Sequence, residues 1–192
     1  MKKFMNRKQL GMTILLIGLI VVLYGAQVGL NNKLKFASLT AYNIKEFKEF
    51  NIEKTNYCYS LPDNWFIEEK KYPGNYILDH KDLKSDELGI NGYIQILSSD
   101  KTIKEIVLKD KEKIENKIED YEKVQLEIKG RESIKVTYKE KLKAGKTIFF
   151  IVYYLKLDEN KIAKVSFNVE ENKYKEDFND IFEAIVDSIN KK

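Results

Sequence analysis

Residues Thr147 to Leu157 read TIFFIVYYLKL. Alternation with a period of two puts Ile148, Phe150, Val152 and Tyr154 on one face of a strand and Phe149, Ile151, Tyr153 and Leu155 on the other, and both sets are apolar. A strand that is apolar on both faces must be covered on both, so it belongs inside a sheet with structure above and below it.

Working outward from this strand, turn residues at Lys129-Gly130, Ala144-Gly145 and Asp158-Glu159-Asn160 separate four strand-like runs by short connections, the pattern of an antiparallel meander. The last run alternates Ala163, Val165, Phe167 and Val169 with Lys164, Ser166, Asn168 and Glu170, which predicts one buried and one wet face. Tyr174, Phe178, Ile181, Phe182, Ile185, Val186 and Ile189 then follow at helical spacing. Before the meander, Thr102-Ile103-Lys104-Glu105 has the form of a capping box, and the spacing of Ile103, Val107, Ile114 and Ile118 predicts a helix to about Tyr121. Two amphipathic helices would supply the two covers that the central strand requires.

Nearer the N-terminus, Tyr76 to Leu78 and Ile90 to Leu97 predict strands joined by a polar loop, Asp79 to Gly89. Tyr57, Tyr59 and Leu61 alternate with Cys58 and Ser60, and Pro62-Asp63-Asn64 then turns the chain into Trp65-Phe66-Ile67, which reads as a hairpin. In Asn43 to Phe50, NIKEFKEF, Asn43 is placed to cap a short helix with Glu46 three residues on. Lys45 and Lys48 alternate there with Glu46 and Glu49, so the helix has no basic face for anionic lipid and is expected to pack on the domain.

This order of elements, together with Tyr59-Ser60-Leu61-Pro62-Asp63-Asn64-Trp65 and the late Phe178, Phe182 and Ser188-Ile189 segment, resembles the PsbP-like, or Mog1/PsbP, superfamily over about residues 57–190. The resemblance implies an α+β fold, an α/β/α sandwich around a central antiparallel sheet. It implies no shared activity, because members act as assembly, binding or accessory proteins with different partners, so function has to be argued from sites.

Leu10 to Leu30 contains no charged residue, and its length matches the roughly 20 residues needed to cross a bilayer. Lys2, Lys3, Arg7 and Lys8 precede it, which places residues 1–9 in the cytoplasm and everything after Leu30 outside. A cleaved signal peptide would have a shorter apolar core and a small residue where Tyr24 stands. Residues 8–13 resemble a prepilin leader in outline, but Leu16 occupies the position where such leaders carry Glu. Gly11, Gly18 and Gly25 share one helical face, and Gly25 with Gly29 forms G-x-x-x-G, a pattern through which two copies could pair. The expected organisation is a cytoplasmic tail at 1–9, a transmembrane helix at 10–30, a connector at 31–55 and an extracytoplasmic domain at 56–192.

Removing those four basic residues from the 34 in the chain leaves 30 against 30 acidic. The domain is therefore neutral, with Lys and Glu interleaved, and lacks the concentrated cationic surface that nucleic-acid binding needs. Cys58, the only cysteine, is expected to be a buried thiol. The single histidine, His80, stands in Asp79-His80-Lys81-Asp82 and reads as an exposed loop residue, where substitution should matter little. A nucleophile needs a base and zinc needs about four ligands, and neither set is legible. No glycine-rich phosphate loop is present either, and Gly89 and Gly92 read as positions opening a strand. No catalytic, cofactor or metal residues are assigned. The chain reads as a membrane-anchored, non-enzymatic binding or assembly module with a protein partner at a bacterial cell envelope. The alternative is an extracytoplasmic sensor of a small molecule or ion that uses the Asp79 to Gly89 loop near a cleft.

Overall fold

The computed structural model of the chain describes residues 7–53, 55–143 and 145–192, with the backbone alone at 7–9 and 26–38. Helix α1 (Arg7–Ala41) precedes β1 (Phe47–Asn51), β2 (Tyr57–Pro62), β3 (Phe66–Glu69), β4 (Ile77–Ser85) and β5 (Ile90–Ser98). After these come α2 (Ile103–Glu112), β6 (Lys117–Ile128), β7 (Arg131–Lys141), β8 (Thr147–Asp158), β9 (Lys161–Glu170), α3 (Phe178–Asp187) and β10 (Asn190–Lys191).

Seven strands form one antiparallel sheet in the order β3-β4-β5-β9-β8-β7-β6, and β1-β2-β10 form a second, smaller sheet. Strands β6 to β9 are the predicted meander. Its first turn is a two-residue hairpin in which Lys129 and Gly130 both have positive φ, 51° and 74°, as a turn matched to strand twist requires. Strand β8 lies inside the sheet and is buried on both faces. Its Ile151, Tyr153 and Leu155 join the core under α3 and the small sheet, whereas Val152 and Tyr154 join a second core under α2. The capping box also forms: the Thr102 hydroxyl accepts from the Glu105 N–H, and the Glu105 carboxylate accepts from the Thr102 N–H.

Several sequence expectations are corrected. Residues Asn43 to Phe50 are not a helix. Asn43, at φ 56°, ends α1 instead of starting a new helix. The Ile44 N–H bonds the Leu39 carbonyl at 2.9 Å and the Asn43 N–H bonds that of Thr40 at 3.1 Å, a Schellman closure, after which Phe47 to Asn51 pair with β2. Tyr57 to Ile67 is not a hairpin, because β2 pairs with β1 and β10 while β3 pairs with β4 in the other sheet. Most of the supposed loop at Asp79 to Gly89 is strand β4, paired on both sides, and only residues 86–89 turn. Helix α2 stops at Glu112, so Ile118 and Tyr121 belong to β6. The final helix begins at Phe178, and Tyr174 precedes it.

Polar residues of β4 join the two sheets. Lys81, 5% exposed, pairs with Asp79 at 2.8 Å, and Asp79 accepts from the Tyr59 hydroxyl of β2 at 2.5 Å. Burial and the Asp79 carboxylate push the Tyr59 phenol far above its ordinary range. Cys58 is buried, as expected.

Among the described residues no helix is long and apolar enough to cross a membrane. The span read at Leu10 to Leu30 lies partly outside them, since side chains are described only as far as Gly25, and Lys2 and Lys3 lie wholly outside, as does Ala144. The apolar side chains of α1 between Leu10 and Gly25 are uncovered: Met12 is 70% exposed, Leu15 71% and Tyr24 69%. The space beside Gly11, Gly18 and Gly25 is open, and Gly29 falls among the residues described by backbone alone.

Candidate ligand-binding cavity

Strand register brings the cavity together. His80 of β4 lies opposite Gln95 of β5, which faces Lys164 of β9, which faces Tyr154 of β8. A parallel row runs Asp82, Tyr93, Ser166, Val152 and Val136, and a third includes Asn168, Phe150 and Tyr138. Side chains two apart on a strand share a face, so these rows make one continuous floor on the α2 side of the sheet. With Val107, Asp110 and Lys111 from α2 on one side and Tyr72 on the other, the floor encloses a cavity of about 570 Å³. That volume lies within the roughly 300–1,000 Å³ typical of small-ligand sites.

The wet face predicted for β9 is therefore not solvated surface. Ser166 is 3% exposed, and Lys164 and Asn168 are half-buried, because all three point into the cavity. Lys164 donates to Asp110 at 2.7 Å, and the same carboxylate oxygen accepts from the Tyr154 hydroxyl at 3.1 Å. Burial works against the Lys164 charge, but Tyr93 and the Asp110 carboxylate outweigh it and its pKa is raised. Lys113 adds a second, looser ion pair to Asp110 at 3.7 Å.

His80 is buried at 4% exposure, which corrects the exposed-loop reading. Its Nε2 lies 2.7 Å from Asp82 Oδ1 and its Nδ1 2.8 Å from the Gln95 amide nitrogen. With the Gln95 amide donating, the imidazole carries its proton on Nε2 and donates to Asp82, so both ring nitrogens are engaged. Tyr93 stacks on the imidazole at 5.5 Å, and Tyr72 meets it edge-on at 5.2 Å. Burial raises the Asp82 pKa, yet hydrogen bonds from Lys70 and His80 prevail and hold it below the usual carboxylate range.

Opposite this group, Tyr138 lies flat on Phe150, with ring centroids 4.8 Å apart and planes 4° apart, and Tyr121 extends the stack at 6.3 Å. The Lys111 ammonium sits 4.0 Å above the Tyr121 ring. Six tyrosines line the cavity in all. The Ser166 hydroxyl, the Asn168 amide and the Tyr138 hydroxyl have no hydrogen-bond partner among the described residues. Among the described residues, the fully buried side-chain atoms without partners, Trp65 Nε1 and the Tyr153 hydroxyl, belong to the opposite core. Among the described residues no group of three or more His, Cys, Asp and Glu is placed to hold a metal ion.

Of the residues singled out in sequence, His80 and Asp82 thus meet in the cavity wall. Lys164, Ser166, Asn168, Asp110 and Tyr138 were missed as site residues. The available signal was the polar alternation of β9 beside a strand that needs covering on both faces.

An antiparallel sheet covered by helices on both faces, with a tyrosine-lined cavity under one of them, defines a mixed α+β domain. Its fold is PsbP-like: the chain is similar to cyanobacterial PsbP (CyanoP) from Synechocystis sp. PCC 6803, with a TM-score of 0.53 and 12% identity, over 78% of this chain and 94% of that one. It is also similar, with a TM-score of 0.39 and 12% identity, to PA94, a protein of unknown function from Pseudomonas aeruginosa, over 67% of this chain and 85% of that one. No family model and no curated protein matches the sequence.

Proposed function

We propose that this chain is a membrane-anchored, extracytoplasmic and non-enzymatic binding module of the cell envelope, and that it holds a small ligand in the cavity beneath α2. The observation that carries the reading is the cavity itself, about 570 Å³ with unpartnered hydrogen-bonding groups on its floor. Non-enzymatic binding is supported by the engagement of both His80 nitrogens, which leaves the imidazole no free nitrogen to act as a base, and by the burial of Cys58 in the other sheet, away from the cavity. The membrane anchor is supported by the uncharged run Leu10 to Leu30, by the bare apolar side chains of α1 between Leu10 and Gly25 and by the basic residues ahead of them. Pairing of two copies along Gly11, Gly18 and Gly25, with Gly29, belongs to the same proposal and is supported by the open space beside the first three.

A second reading, an accessory module for a protein complex, is favoured by one observation. Strand β6, twelve residues long, has β7 as its only strand partner among the described residues and offers its other edge to a partner strand.

Two measurements test the proposal. A cysteine at Asn172 in a Cys58→Ser background reacts with a membrane-impermeant thiol reagent in intact cells, and reaction only after lysis would overturn the outside placement. A ligand-observed NMR screen of small fragments against the full chain in nanodiscs yields binders that Ser166→Ala weakens. A screen without binders would remove the small-ligand reading.

A further inference from the structure

We infer that the cavity takes an uncharged, polyhydroxylated ring, the chemistry of a sugar residue in a glycan, an inference that rests on the cavity being the binding site of the proposed module. Both of its carboxylates are already paired from within. Lys164 is paired with Asp110, Lys113 also reaches Asp110, and Asp82 is held by Lys70 and His80. A ligand that brought its own charge to the depth of Lys164 would have to break the pair with Asp110 and strand one partner in a largely buried place. Among the described cavity residues only Lys111 lacks a carboxylate partner, and it lies at the rim over Tyr121.

What the floor leaves unused is neutral. The Ser166 and Tyr138 hydroxyls and the Asn168 amide can each donate and accept, and none has a partner among the described residues. A site whose unused polar groups are neutral, able both to donate and to accept, and recessed rewards a ligand that brings several hydroxyls and penalises one that lacks them. Apolar ring faces flank these groups, with the parallel Tyr138–Phe150 pair on one side and Tyr93 over His80 on the other. A pyranose presents this combination, C–H faces on its flat sides and hydroxyls around its edge, whereas a purely aromatic ligand would leave the hydroxyl groups of the floor unmet.

The test uses the full chain in lipid nanodiscs prepared without glycoside detergents, with saturation-transfer NMR as the readout. The neutral probes are cellotriose, maltotriose and tri-N-acetylchitotriose, and the charged probes are trigalacturonate and inorganic phosphate. At least one neutral trisaccharide is expected to bind with an affinity independent of salt, since the ligand carries no charge for salt to screen. Ser166→Ala should weaken it by about fivefold, the effect of one hydrogen bond. Tyr138→Phe keeps the ring and therefore the fold, and it should weaken binding by a similar factor, while Val124→Ser on the outer part of β6 leaves it unchanged. Binding of the charged probes alone, falling as salt rises, overturns the neutral-ring inference and leaves the binding module standing. Failure of both probe sets and of the fragment screen overturns both readings, and neutral binding insensitive to Ser166→Ala and Tyr138→Phe overturns the assignment to this cavity.

Discussion

The Phe182 ring of α3 lies on the Phe167 ring of β9, with centroids 4.1 Å apart and planes inclined by 13°. Both side chains are completely buried, and Phe178 closes the cluster edge-on to Phe182 at 6.4 Å. The stack fastens the last helix to the middle of the sheet, on the face opposite the cavity.

Phe182→Ala should therefore cost about 3–5 kcal/mol. That is a large share of the 5–15 kcal/mol available to a domain of ordinary stability. Denaturant melts of the full chain would show it as a shifted midpoint at constant slope, and a loss below about 1 kcal/mol would mean that α3 does not rely on this contact.

His80→Ala carries a different cost. The substitution leaves Gln95 without a partner and removes one from Asp82, so a loss of about 1–3 kcal/mol is expected. The exposed substitution Asn172→Ala should stay within about 0.5 kcal/mol in the same melts. Equal, small effects of the two would return His80 to the surface.

Gly92 of β5 passes so close to β9 that a Cβ would collide with the Ser166 carbonyl oxygen and stand 3.2 Å from Phe167 Cα. These obstacles are backbone atoms and cannot rotate away. Gly92→Ala should destabilise by at least the 1–3 kcal/mol of ordinary overpacking. It should also disturb the neighbouring cavity floor, which amide hydrogen exchange along β9 would reveal; unchanged exchange there would contradict the close approach.

Tyr42 gives a signed pH dependence. Burial, first, and its 2.7 Å hydrogen bond to Asp177, second, push its pKa up to about 12. Because this value is raised above the ordinary phenol value of about 10, the associated stabilisation is fully present below pH ~10 and is lost as pH rises through the folded value. Thermal melts of the native chain and Tyr42→Phe should differ near pH ~9 and converge above pH ~12. A constant difference across that window would show that the hydroxyl is not the responsible group.

The elements legible in sequence were those whose signal is local. The doubly apolar TIFFIVYYLKL run placed β8 inside the sheet, Thr102 and Glu105 located the start of α2, and the Phe178 to Val186 spacing located α3. Asn43 was misread because asparagine serves equally at an N-cap and in the left-handed residue that ends a helix. Which role it takes depends on whether a helix arrives from before, and α1 does, continuing to Ala41. Residues 79–85 were misread because their polarity is satisfied from far away in sequence: His80 by Gln95, and Asp79 by Tyr59. For the same reason the cavity escaped notice, since Lys164 meets Asp110 only after α2 folds over the sheet. A polar side chain in a list of residues does not disclose whether its partner is water or protein.

The closure of α1 at Asn43 also has a geometric consequence. Leu39 packs into the main core, and Tyr42 is joined to Asp177 and lies edge-on to Phe178, so the end of α1 cannot swivel against α3. The azimuth of the domain about the α1 axis is therefore fixed by the number of residues in the helix. Each residue inserted between Gly25 and Leu39 would turn the cavity mouth by about 100° and displace it by about 1.5 Å, while seven inserted residues would restore nearly the original bearing at a height about 10 Å greater.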